Sequence, residues 1–263
     1  MDKEKGKILV LVEGQRTDYK LMEHLLNIYG ISEKHEIVSY NTNIYTLYNE
    51  MFKEKEPESR DLLLTLAEHE RDTAKKSLFK RPYSDILLIF DFDPQDSQFS
   101  EQKIREMSCY FTESSEMGKL YLNYPMVEAF YHMKSIPDEN YTSYLATLEE
   151  LRNHTYKSRV QRENRNHSYQ KFAINKAECD LVIWQNIQKA WCVAENRLPT
   201  LQSPLLPDLI DVLLAQIEHM RERQAVMVLC TCAFYVVDYN PNLLNKQDDG
   251  VKNACIINRS QSL

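Results

Sequence analysis

Two stretches decide the fold: Ile8-Leu9-Val10-Leu11-Val12-Glu13-Gly14 and Ile86-Leu87-Leu88-Ile89-Phe90-Asp91-Phe92-Asp93. Each is an uninterrupted apolar run that ends in acid. Five consecutive apolar side chains cannot alternate between core and water, so each run predicts a strand covered on both faces, as in a parallel sheet. The acids then fall at the carboxyl ends of the strands. In open α/β sheets that edge is where ligands bind, and Glu13, Asp91 and Asp93 converging there point to a divalent-cation site.

Working outward, Thr17 is placed to cap a helix from Asp18 to Tyr29, on which Leu21, Leu25 and Leu26 recur at helical spacing before Gly30. His35 to Tyr40 predicts a second strand and so a β-α-β unit with a right-handed crossover. Ile44 to Lys55 and Asp61 to Leu78, separated by Pro57, read as a helical insertion spanning about 44–80. The third strand, Asp85 to Phe90, delivers Asp91 and Asp93, which share a face if the strand continues through them. Pro94 forces a turn, Asp96 is placed to cap the next helix, and Glu101 to Phe111 reads as that helix, amphipathic in pattern. A fourth strand, Lys119 to Asn123, precedes Pro125, expected in the first turn of a helix that carries Glu128. Beyond Pro137 the character changes: Tyr141 to Leu151, Ala177 to Glu195 and Pro207 to Met220 read as helices, and Ala225 to Tyr239 as a buried helix or strand. The expected organisation is an α/β catalytic domain over 1–136, an open and mainly parallel sheet flanked by helices, with a mostly helical region over 137–263.

The order strand-Glu13-Gly14, helix, strand-Asp91-Phe92-Asp93 resembles the Toprim family, the metal-dependent domain of topoisomerases, primases and several nucleases. The stretch Leu120-Tyr121-Leu122-Asn123-Tyr124-Pro125-Met126-Val127-Glu128-Ala129-Phe130 is similar to the corresponding segment in toprim effectors of PARIS-type anti-phage defence systems. The resemblance implies a nuclease toxin that acts on RNA, transfer RNA included, beside a separate ATPase. It assigns Glu13 as general acid or base and metal contact, Asp91 and Asp93 as ligands, and Glu128 as a further ligand. Magnesium is the implied ion, with manganese as a substitute. The alternatives are a DNA-nicking nuclease of the overcoming-lysogenization-defect type and a Toprim-fold module that docks a partner without chemistry.

Composition sets the remaining bounds. A chain of 263 residues with 43% apolar side chains buries a substantial core, and either one large domain or two small ones fits this length. No run approaches the ~20 apolar residues of a membrane span, and the charged start Met1 to Lys5 leads into no signal peptide, so a cytoplasmic protein is expected. The six cysteines are scattered, without the paired spacing of a zinc site. There is no Walker A motif and no nucleophile elbow, so any ATP hydrolysis falls to a partner. The net charge of −7 excludes a protein that coats nucleic acid with its whole surface. Against that background Arg152 to Lys176 carries Lys157, Arg159, Arg162, Arg165 and Lys171 among aromatic residues. Such a strip suits phosphates and unpaired bases, or else a solvated or partner-facing surface. A homo-oligomer is compatible with all of this.

Overall fold

The structure is a computed structural model, and it describes residues 6–52, 60–115, 117–200 and 203–245. The expected helix end at Lys55, the break at Pro57, the charged start Met1 to Lys5 and Cys255 lie outside the described residues. The described chain forms two compact units, residues 1–91 with 98–121 and residues 92–97 with 122–263. The expected boundary near Pro137 therefore lies inside the second unit.

The first unit is built on a five-stranded, mostly parallel sheet flanked by helices, in the order β2-β1-β3-β5-β4. Strand β1 (Lys7–Val12) buries every residue after Lys7, as its unbroken apolar run requires. It pairs in parallel with β2 (His35–Ser39) on one side and β3 (Tyr83–Asp91) on the other, with Val10 opposite Leu87 and Val12 opposite Ile89. Strand β5 (Gly118–Asn123) lies beside β3, and β4 (Thr112–Glu113) pairs antiparallel with it at the edge. That short edge strand carries too few residues for a periodic signal. Each fully buried aliphatic side chain of β1 and β3 contributes roughly 1.5–3 kcal/mol, so these central strands are the main store of stability in this unit.

Helix α1 (Thr17–Ile28) buries Leu21, Met22, Leu25 and Leu26. It starts one residue earlier than expected, because Arg16 rather than Thr17 stands at the cap and no side chain caps it. Helices α2 (Ile44–Met51), α3 (Leu62–His69) and α4 (Thr73–Leu78) make up the insertion, and Asp72 breaks the second expected segment by accepting the Ala74 and Lys75 N–H groups as a new cap. Ser100, not Asp96, caps α5 (Glu101–Tyr110).

The second unit is less helical than expected. Tyr141 to Leu151 is a 3-10 turn, the strand β6 (Leu145–Thr147) and the short helix α6 (Leu148–Arg152), because Thr147 and Glu150 form a reciprocal capping box that starts a new helix there. Helix α7 (Tyr156–Glu163) comes next. Helix α8 (Lys176–Glu195) and helix α9 (Leu209–Arg223) match expectation closely. The apolar segment after them divides into β7 (Ala225–Met227), antiparallel to β6, a 3-10 turn, and α10 (Tyr235–Tyr239). The helix expected to carry Glu128 is a 3-10 helix, Val127–Tyr131, capped at Met126, so Pro125 stands ahead of the helix rather than in it.

His132 sits in the core of this unit with its ring nitrogens 3.2 Å from the Tyr156 hydroxyl and 3.2 Å from Glu163 Oε2. Burial outweighs the carboxylate and pushes its pKa down to about 4 from the ordinary 6.5. Between those values the unfolded chain binds a proton that the folded chain does not, so stability falls as pH drops through this window. Glu163, held below its usual value by His132 and Arg159 against the opposing effect of burial, contributes in the same direction. Urea unfolding at pH 7 and pH 4.5 should show a loss of up to about 3 kcal/mol, and His132→Gln should flatten that dependence.

Candidate metal centre

Chain geometry brings the first two acids together. Glu13 comes directly after β1, and its backbone N–H donates to the Ile89 carbonyl at 3.1 Å, extending the parallel ladder one residue past the strand. The Asp91 N–H then donates to Glu13 Oε2 at 3.2 Å. A Cβ at Gly14 would stand 2.6 Å from Asp18 Oδ2, so a larger residue there would have to displace that carboxylate. Asp18, the expected first residue of the helix, is buried against this turn.

Asp93 arrives by a different route from the one its spacing suggests. Strand β3 ends at Asp91, the Phe92 N–H donates to the Asn123 carbonyl at 3.0 Å, and the Asp93 N–H donates to the Pro125 carbonyl at 3.2 Å. Asp93 itself has φ of 40°, a left-handed conformation that costs most residues about 1–3 kcal/mol and that aspartate and asparagine tolerate best. A turn, not strand alternation, aims this carboxylate. Gln95 Nε2 donates to Asp93 Oδ1 at 2.9 Å and holds it.

Glu13, Asp91 and Asp93 each offer one carboxylate oxygen, and these atoms all lie within 4.8 Å of one another. Burial pushes the Asp93 carboxyl above its ordinary pKa, Gln95 and Lys157 draw it down, and Asp96 and Glu128 push it further up. Three hard oxygen donors this close fit magnesium or manganese, whose remaining positions water and phosphate oxygens fill. The donor set does not by itself discriminate among hard divalent ions.

Glu128 is not part of this set of three. It is 3% exposed, and its Oε1 lies 3.2 Å from Lys157 Nζ. A five-residue 3-10 helix has little dipole to offer this carboxylate, and a lysine balances it instead.

The basic strip separates into two kinds of residue. Helix α7 buries Tyr156 and Val160 on one face, which turns Lys157, Ser158, Gln161 and Arg162 outward. Arg162 is 71% exposed and Lys157 62%. Lys171 is also exposed. Arg159, by contrast, binds Glu150 at 3.1 Å, Glu163 at 3.2 Å and the Leu145 carbonyl at 3.0 Å. Arg165 binds Glu178 at 2.9 Å. Lys157, Arg159, Arg162 and Arg165 thus all lie within 4 Å of a carboxylate of the same unit, but only Arg159 and Arg165 are themselves largely covered. The Arg159–Glu163 pair is legible from its i,i+4 spacing, whereas Glu150 and Glu178 lie 9 and 13 residues from the arginines they bind and require the fold.

Calorimetric titration with manganese should show at least about tenfold weaker binding in Glu13→Gln, Asp91→Asn and Asp93→Asn, while each variant melts at or above the parent temperature without metal because a like charge is removed. Arg159→Gln should lower the melting temperature by several degrees, at roughly 2–4 °C per kcal/mol, whereas Arg162→Gln should leave it unchanged.

Comparison of the chain with family models, with curated proteins and with solved structures finds no match.

Proposed function

We propose that the chain is a Toprim-like, magnesium-dependent endonuclease that hydrolyses phosphodiester bonds, with RNA, transfer RNA included, favoured over DNA. The observation that carries this reading is the group of three carboxylates, Glu13, Asp91 and Asp93, whose oxygens lie within 4.8 Å of one another. Its order along the chain, Glu-Gly after one buried strand and Asp-x-Asp after another, supports it.

A divalent cation bound here would supply Lewis acidity toward a scissile phosphate and toward attacking water. Asp91 and Asp93 would hold such an ion, and Gln95 fixes the orientation of Asp93. Glu13 is oriented by the backbone N–H that Oε2 accepts, and its carboxylate is the group placed to accept or return a proton. Lys157, close enough to influence Asp93, brings a mobile positive charge to the developing negative charge on phosphate. The chain has no Walker A motif, so this reading places ATP hydrolysis on a separate subunit and casts the chain as a toxic effector of anti-phage defence under that subunit's control. No helix among the described residues is long and apolar enough to cross a membrane.

Purified protein incubated with total cellular RNA and with plasmid DNA should generate new ends with magnesium or manganese and none with chelator. Glu13→Gln and the double change Asp91→Asn with Asp93→Asn should lower the rate by at least about a thousandfold in proteins that still melt cooperatively. Equal cleavage by folded Glu13→Gln would remove the catalytic assignment. Unchanged toxicity with and without the neighbouring gene products would remove the ATPase.

A further inference from the structure

Beside Asp93, and within the second unit alone, lies an open groove of about 560 Å³ lined by Glu128, Lys157, Ser158, Gln161, Arg162, His167 and Tyr169. Its chemistry is mixed in an informative way. Lys157 and Arg162 supply exposed positive charge, yet Glu128 lies among them with one oxygen, Oε2, that is buried and accepts no hydrogen bond. A buried carboxylate oxygen without a donor is costly, on a scale that a ligand can recover by supplying one. A phosphodiester supplies none and is repelled by Glu128. A ligand that fits carries both a phosphate for the lysine and arginine and an N–H or O–H donor for the glutamate.

The ring of Tyr169 defines the rest. It is stacked on Tyr131, with centroids 4.3 Å apart and planes 12° from parallel. Tyr131 is itself buried and packs against Phe130 and Phe172, so Tyr169 is backed by a fixed aromatic stack. A half-buried ring held in this way is a platform for a flat, unpaired base. The groove is within the size range of small-ligand sites and suits one nucleotide.

We propose that this groove binds one unpaired guanine nucleotide of the nucleic-acid substrate. Guanine presents two adjacent donors, N1–H and the N2 amino group, to a carboxylate. Adenine and cytosine each place a ring-nitrogen acceptor beside their single amino donor, and uracil flanks its one N–H with two carbonyl oxygens, so each sets a lone pair against Glu128. In this proposal Lys157, 62% exposed, would leave Glu128 Oε1 for the nucleotide's phosphate, and the two glutamate oxygens would then accept guanine's two donors. The inference rests on the nuclease reading above for what delivers the nucleotide, and on the groove alone for which base it is.

Fluorescence anisotropy in chelator, with no cleavage possible, tests it on short single-stranded uridine-rich RNAs carrying one central guanosine, inosine, adenosine or cytidine. Inosine keeps N1–H and lacks only the N2 amino group. The parent protein should bind the guanosine RNA about tenfold or more tightly than each of the other three. Glu128→Gln should abolish that preference and leave a common, salt-sensitive affinity. Tyr169→Leu should weaken all four RNAs together. Equal affinity for guanosine and inosine in the parent protein overturns the proposal without any variant. So does a guanosine preference that survives Glu128→Gln while manganese affinity falls, which would make Glu128 a metal ligand. Guanosine preference without cleavage under any metal would remove the nuclease reading and leave the groove standing; cleavage without guanosine preference would do the reverse.

Discussion

The parallel register of β1 on β3 is the constraint on which the candidate site depends. With Val12 opposite Ile89, the residue after β1 and the last residue of β3 reach the same edge of the sheet. The Glu13 N–H continues the ladder to Ile89, and Asp91 returns a backbone donor to the Glu13 carboxylate. A slip by one residue would turn every buried side chain of β1 to the opposite face and separate Glu13 from Asp91. Because both strands are apolar on both faces, that slip is opposed by the fit of close-packed side chains rather than by a polar face. Core packing therefore holds two like charges together that would otherwise move apart.

The second unit applies the same logic to a basic surface. Asn164 Nδ2 donates to the Tyr131 carbonyl at 2.8 Å, and the Arg165 N–H donates to the Met133 carbonyl at 2.9 Å, which ties the end of α7 to the segment carrying Glu128. Arg159, with Glu150 and Glu163, anchors the inner side of the helix. The outer side, with Lys157 and Arg162, is left to face solvent. Positive charge in this strip thus has two jobs, support and display, and position on the helix decides which.

The sheet is legible in the sequence because five-residue apolar runs have few other uses, and α8 and α9 are legible because they are long and periodic. What the sequence conceals is short or non-local. Tyr141 to Leu151 has helical composition throughout, and only the capping box at Thr147 reveals that a helix begins inside it. Asp93 stands near Asp91 as its spacing predicts, but not for the reason the spacing suggests: the chain leaves the sheet, and a left-handed residue rather than strand alternation returns the carboxylate. Glu128 is recognisable as an acid near the site, whereas its lysine partner 29 positions later and the Tyr131–Tyr169 stack require the fold.

Asp93, Glu128 and Lys157 belong to one electrostatic system, since the protonation of Asp93 responds to both of the others. Two acids and one base this close leave a net negative charge that the described residues of the groove offset only with the exposed Arg162 side chain. A phosphate carried in by a substrate would draw Lys157 away from Glu128 and Asp93, and the Asp93 carboxylate would then hold its proton more readily.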